Sequence, residues 1–241
     1  TEADAVEAMG EPIPFGVMMV KAGLADGLVA GAVHSTADTL RPALRILRTK
    51  PGIKLVSSFI LMDSPEKEYG EDGLILFSDC ALMIDPDAEE LSEIALCSAE
   101  SFESLTDKEA RVAMLSFSTW GSGIGESVEK VAAATALVKE KNPDLIVEGE
   151  FQADTAIVPS VAARKAPDSV IAGRANCLIF PDLNSANISY KLVQRLGNAA
   201  AYGPILQGLA KPINDLSRGA SVDDIVGVVA LTCVQSTLED E

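Results

Sequence analysis

Short apolar runs of three to eight residues alternate with longer segments of helical composition along almost the whole chain. This alternation constrains the fold more than any other feature of the sequence. Strands separated by helices cannot pair as hairpins, so they pair in parallel or mixed sheets that helices cover. Runs reading as strands fall at residues 27–33, 55–62, 74–77, 81–84, 111–118, 145–147, 177–180 and 202–209. Helical segments fall at 1–9, 14–21, 88–105, 127–141, 154–165 and 184–196, with a last one over 225–234. Pro42 fits only near the first turn of the helix that begins after His34. Aromatic residues make up only 5% of the 241 residues while aliphatics abound, the packing material of an α/β protein rather than of a β-sandwich.

Charge narrows the partners. The formal net charge is −17, and residues 66–109 hold fourteen acidic side chains against two lysines. We read that run as a solvated face. Such a balance argues against nucleic acid and against anionic membranes. It leaves an anionic small substrate open, because a Debye length of about 8 Å lets a local arginine cluster govern its own cleft. Cys80, Cys97, Cys177 and Cys233 show no Cys-x-x-Cys spacing and sit in apolar segments, the pattern of buried free thiols in a reducing compartment. One histidine, His34, rules out a histidine-rich metal site, and it reads as structural. No apolar run is long enough to predict a membrane span, and the N-terminus does not read as a signal peptide.

Three polar stretches compete for the chemistry. Gly121-Ser122-Gly123-Ile124-Gly125 precedes a helix, but its third glycine comes one residue early for a dinucleotide fingerprint. Glu148 and Glu150 have the types of an acid–base pair, though solvated or capping roles fit them better. The stretch 212–224 is the strongest. Ser221 and Asp224 have the Ser-x-x-Asp spacing of a capping box. Ser217 and Arg218 therefore lie in a loop that feeds a helix N-terminus, where free N–H groups and the positive dipole end suit an anion. The run His34-Ser35-Thr36 to Arg41 repeats this logic, with hydroxyls after a strand and an arginine one helical turn on.

Residues 33–42, 176–187, 203–208 and 214–219 together resemble phosphotransacetylase (phosphate acetyltransferase), in collinear order over essentially the whole chain. The resemblance implies two three-layer αβα domains, of the isocitrate/isopropylmalate dehydrogenase-like kind, facing an interdomain cleft. It implies a discontinuous first domain from residues 1–50 and 202–241, and an inserted second domain from 51–201. It implies reversible transfer of the acetyl group between CoA and phosphate, with CoA, acetyl phosphate and phosphate as substrates and with no metal or prosthetic group. A cytoplasmic homodimer is implied too. By motif, Asp224 takes the thiol proton, Ser217 stabilises the carbonyl oxygen and Arg218 holds the phosphate. Arg41 contacts CoA, and Ser35 and Thr36 bond phosphate.

Two departures stand out. The family's chain normally begins earlier, with another CoA-contacting arginine. If that part is missing here, weak CoA binding and an exposed apolar sheet face near residues 28–33 are expected. Trp120 also stands where the family pattern leads us to expect lysine. Two alternatives remain at this level. One is an acyl-CoA-sensing regulatory module like that of some malic enzymes, which tends to lose the Ser-Arg-Gly motif. The other is a phosphate acyltransferase for longer acyl groups.

Overall fold

The computed structural model describes residues 1–237 and divides the chain into two compact units, Thr1–Val56 with Tyr202 onward, and Ser57–Ala201. The last four residues of the first expected domain, 238–241, lie outside the described residues.

The first unit opens with α1 (Glu2–Ala8) and α2 (Pro12–Lys21), followed by β1 (Leu28–Ala30) and α3 (Thr36–Ile46). Thr1 and Asp4 close a reciprocal capping box on α1, and Ser35 and Asp38 do the same on α3. β1 is shorter than the apolar run suggests, because Gly31 turns the chain at φ +108°. Pro42 lies seven residues into α3 rather than in its first turn. It removes one helical hydrogen bond, and the amphipathic helix packs on α2 regardless.

The second unit contains β2 (Ser57–Asp63), β3 (Leu74–Ser78), α4 (Ala88–Thr106), β4 (Arg111–Leu115), α5 (Glu126–Lys141), β5 (Ile146–Phe151), α6 (Ala153–Ile157), α7 (Pro159–Lys165), β6 (Cys177–Ile179) and α8 (Leu183–Leu196). Its strands take the order β5-β4-β6-β3-β2. β3, β6, β4 and β5 run parallel, and β2 is antiparallel to β3. The parallel strands are buried almost throughout, so they read as continuous apolar runs rather than as alternation. α4 packs on α5, and α8 lies against β2 and β3.

Two expectations fail here. Residues 81–84 are not a strand. The backbone N–H groups of Ala81, Leu82 and Met83 turn inward and donate to the Asp79 carboxylate at 2.8, 3.0 and 3.3 Å. Asp79 is 3% exposed, and burial pushes its pKa up. The segment 154–165 is not one helix, because Pro159 begins a new one and Val158 between them is extended.

β7 (Ala200–Gln207) returns the chain to the first unit, where β8 (Ile213–Asp215) and α9 (Val222–Thr237) complete it. β8 pairs in parallel with β1, Leu28 opposite Ile213 and Ala30 opposite Asp215. α9 packs on both strands. Cys80, Cys97 and Cys177 are buried free thiols, but Cys233 is exposed, because α9 turns it away from its buried residues Val228 and Thr232.

Candidate active site

The polar stretch 212–224 is a buried strand followed by an exposed turn. Ile213, Asn214 and Asp215 form β8, buried throughout, and each polar side chain there is fully engaged. The Asn214 amide nitrogen donates to Thr232 Oγ1 at 2.8 Å and Gln235 Oε1 at 2.7 Å, and its oxygen accepts from the Leu206 N–H at 2.7 Å. One side chain thus ties β7, β8 and α9 together. The Asp215 carboxylate accepts from Thr36 Oγ1 at 2.6 Å and Thr39 Oγ1 at 3.0 Å, which clamps the first turn of α3 to β8. Burial raises its pKa against the pull of those hydroxyls. Gly31 makes the clamp possible, since a Cβ there would lie 2.1 Å from Asp215 Oδ1.

The parallel register then sets what lies side by side. Leu216 N–H donates to Ala30 O at 2.7 Å, and just beyond this bond both strands release their chains at the same edge. One chain continues into His34, Ser35 and Thr36, the other into Ser217, Arg218 and Gly219. Ligands of open α/β sheets bind at that carboxyl edge. Ser217 and Arg218 are exposed in a turn closed by Ala220 N–H donating to Ser217 O at 3.0 Å. Ser217 Oγ accepts from Gly219 N–H at 3.3 Å, and its own proton is donated to nothing among the described residues. Arg218 has no carboxylate partner among them either. Asp224 and Ser221 close the expected capping box. Asp224 Oδ2 accepts from Ser221 N–H at 2.8 Å, and Ser221 Oγ accepts from Asp224 N–H at 3.2 Å. Oδ1 of Asp224 takes part in neither bond.

The other residues divide. Arg41 is exposed on α3 and lines a cavity of about 420 Å³ with Arg45, His34, Asp38 and Glu11. Arg45 was not singled out from sequence, although four residues from Arg41 is one helical turn. Ser35 and Thr36 differ from Arg41 in being committed. Ser35 Oγ donates to Asp38 Oδ2 at 2.7 Å, and Thr36 gives its proton to Asp215. The Ser35 hydroxyl, together with the Ser35 backbone N–H, holds the Asp38 pKa below the usual carboxylate range. His34 is half-buried at the mouth of the same cavity.

The glycine-rich loop 121–125 is satisfied from within. Gly121 N–H donates to Glu150 Oε1 at 2.7 Å, and Gly123 N–H donates to Ser118 Oγ at 2.9 Å. Ser118 Oγ in turn donates to Glu150 at 2.8 Å. The carboxylate fills the place that a phosphate takes in a nucleotide loop. Glu148 accepts from Ser169 Oγ. Neither glutamate caps a helix, and Glu150 is buried rather than solvated; both carboxylates are engaged by neighbouring loops. No group of carboxylate, thiol and imidazole side chains among the described residues is arranged to hold a metal ion, and no described helix is long and apolar enough to cross a membrane.

A family model described as phosphate acetyl/butaryl transferase matches residues 1–233. The phosphate acetyltransferase of Acetivibrio thermocellus is 59% identical over 230 residues, which is 95% of this chain and 69% of that protein. A phosphotransacetylase from Streptococcus pyogenes superposes with a TM-score of 0.87 at 53% identity, over 94% of this chain and 67% of the other. A 4-hydroxythreonine-4-phosphate dehydrogenase from Klebsiella pneumoniae shares the fold alone, with a TM-score of 0.55 and 11% identity over 93% of this chain and 69% of the other.

Proposed function

Since the chain belongs to the phosphate acetyl/butaryl transferase family, we propose that the exposed turn after β8 carries the interconversion of acetyl-CoA and phosphate with acetyl phosphate and CoA. The observation that supports this most is the state of Ser217 and Arg218. Neighbouring polar groups spend themselves on structure, while this hydroxyl proton and this guanidinium are left exposed beside each other.

The chemistry follows from those groups. An unperturbed thiol has a pKa of about 8.5, so most of it is the weaker nucleophile at neutral pH. Asp224 accepts the thiol proton through Oδ1 as sulfur attacks the acetyl carbon of acetyl phosphate. The carbonyl oxygen becomes an oxyanion and receives the Ser217 hydroxyl proton as a hydrogen bond. The carbon–oxygen bond to phosphate then breaks, the leaving oxygen takes up a proton from solvent as Asp224 gives its proton back, and the hydrogen phosphate departs paired with Arg218 in the two-pronged geometry that a guanidinium allows. The reverse direction uses the same groups in opposite order. Nothing in this step needs a metal or prosthetic group. Arg41 holds a phosphate of CoA, with Ser35 and Thr36 shaping the turn beside it. Free thiols at all four cysteines support a cytoplasmic setting. The exposed row Ile188, Leu192 and Leu196 on α8 supports a homodimer, which light scattering reads directly.

The test is thioester formation from CoA and acetyl phosphate, followed spectroscopically. Ser217→Ala lowers kcat about 10²–10³-fold, the usual cost of an oxyanion donor. Arg218→Gln raises the KM for acetyl phosphate. Wild-type turnover in both variants would remove the turn from the reaction.

A further inference from the structure

The first unit contains a close contact that the chemistry above does not use. Gly227 lies in the interior of α9, where alanine is the better helix former. Its lack of a side chain has a local reason. A Cβ at Gly227 would lie 2.7 Å from Cε1 of Tyr202 and closer still to Cδ1, so the Tyr202 ring occupies the space that a side chain would need. Tyr202 stands near the start of β7 and is half-buried. Its hydroxyl has no partner among the described residues, so the ring makes the contact.

The same strand holds α9 at a second point. Gln235 Nε2 donates to Leu206 O at 3.2 Å, and the Leu206 N–H donates to Asn214, which in turn bonds Thr232 and Gln235. The two holds match in spacing. The strand from Tyr202 to Leu206 spans about 13 Å, and the helix from Gly227 to Gln235 rises about 12 Å.

Asp224 depends on the first hold. It lies three residues before Gly227, one turn nearer the helix start on the same face. It is half-buried there, whereas Val222 and Asp223 are exposed. The capping box with Ser221 fixes the carboxylate within the helix. It does not fix the helix against the strands. That takes packing, and the Tyr202 ring on Gly227 supplies it one turn from Asp224.

We propose that Tyr202 is a positioning residue for the reaction: seated on Gly227, it holds the first turns of α9 so that the Asp224 carboxylate meets the thiol. This rests on the reading of Asp224 as the proton acceptor. Thioester formation is followed from about pH 6.5 to about pH 9.5, across the ordinary thiol pKa of about 8.5, well below the melting temperature of each variant. A displacement of about 1 Å can cost about 10²-fold in rate, so Tyr202→Ala lowers kcat about 10–100-fold at neutral pH with the KM for CoA little changed. Tyr202→Phe keeps the ring and the rate. Gly227→Ala also lowers kcat, and adding Tyr202→Ala to it recovers part of the loss, because the new methyl group enters the space the ring leaves. Above the thiol pKa the nucleophile forms without a base, so the loss shrinks as pH rises, in Tyr202→Ala as in Asp224→Asn. A loss in Tyr202→Ala that is constant across pH, beside a pH-dependent loss in Asp224→Asn, overturns the proposal alone. So does wild-type turnover in Tyr202→Ala, or a loss confined to the KM for CoA. A loss in Asp224→Asn that is absent or constant across pH overturns the acceptor reading and this proposal with it.

Discussion

Asp215 shows how a carboxylate in the midst of a polar stretch can be wholly structural in space. It sits two positions before Ser217, yet it is 2% exposed and holds two threonines of α3. Its folded pKa is raised by burial above the ordinary 3.8. A raised carboxyl stabilises the fold fully below its unfolded pKa, and that contribution is lost as pH rises through the folded value. The difference in stability between wild type and Asp215→Asn should therefore shift against wild type as pH rises from about 4 towards neutrality. Chemical denaturation of both proteins across that range measures it. A constant difference would mean that the carboxyl titrates alike folded and unfolded. The capping partners of Thr1 and Ser221 could be read in sequence, because a box closes over three residues. The partners of Asp215 could not, since Thr36 is 179 positions away.

At the scale of elements, the long aliphatic strands and helices were legible and the short or interrupted ones were not. β8 has three residues, too few for a period to register, and two of them are polar because they bond β7, α3 and α9 rather than water. Residues 81–84 have strand composition, but Asp79 captures their N–H groups before any neighbouring strand can. The start of α9 carries a test that separates folding from chemistry. Ser221→Ala and Asp224→Asn each disturb the same capping box. Each is expected to lower stability by about 1 kcal/mol, a typical cap loss. Only Asp224→Asn should also abolish most of the thiol-dependent turnover, because only it removes the proposed proton acceptor. Equal turnover in the two variants, measured well below their melting temperatures, would reduce Asp224 to a cap.

For the whole molecule, the distribution of buried apolar surface sets what opens first. The large core cluster lies within unit Ser57–Ala201, where Ile60, Met62, Phe151, Ile171 and Leu178 are almost wholly buried. The other unit rests on a two-stranded sheet whose β1 is only half-buried, and it leaves Val33, Val222 and Val226 at 83%, 76% and 62% exposure. An apolar side chain that stays in water contributes little of the roughly 1.5–3 kcal/mol that full burial provides. Segments with few such contacts open at lower free energy than the global transition. Native-state hydrogen exchange should thus find the amides of β3, β4 and β6 slowest, and those of β1 and β8 faster under the same conditions. If CoA binds at Arg41 and the Ser217 turn as proposed, it adds stability only to the states that bind it, so saturating CoA should slow β1 and β8 while leaving β3 nearly unchanged. Protection of β1 and β8 equal to that of β3 without ligand would place the cooperative core elsewhere. Ligand-induced slowing confined to β3 would place CoA away from the β1–β8 edge.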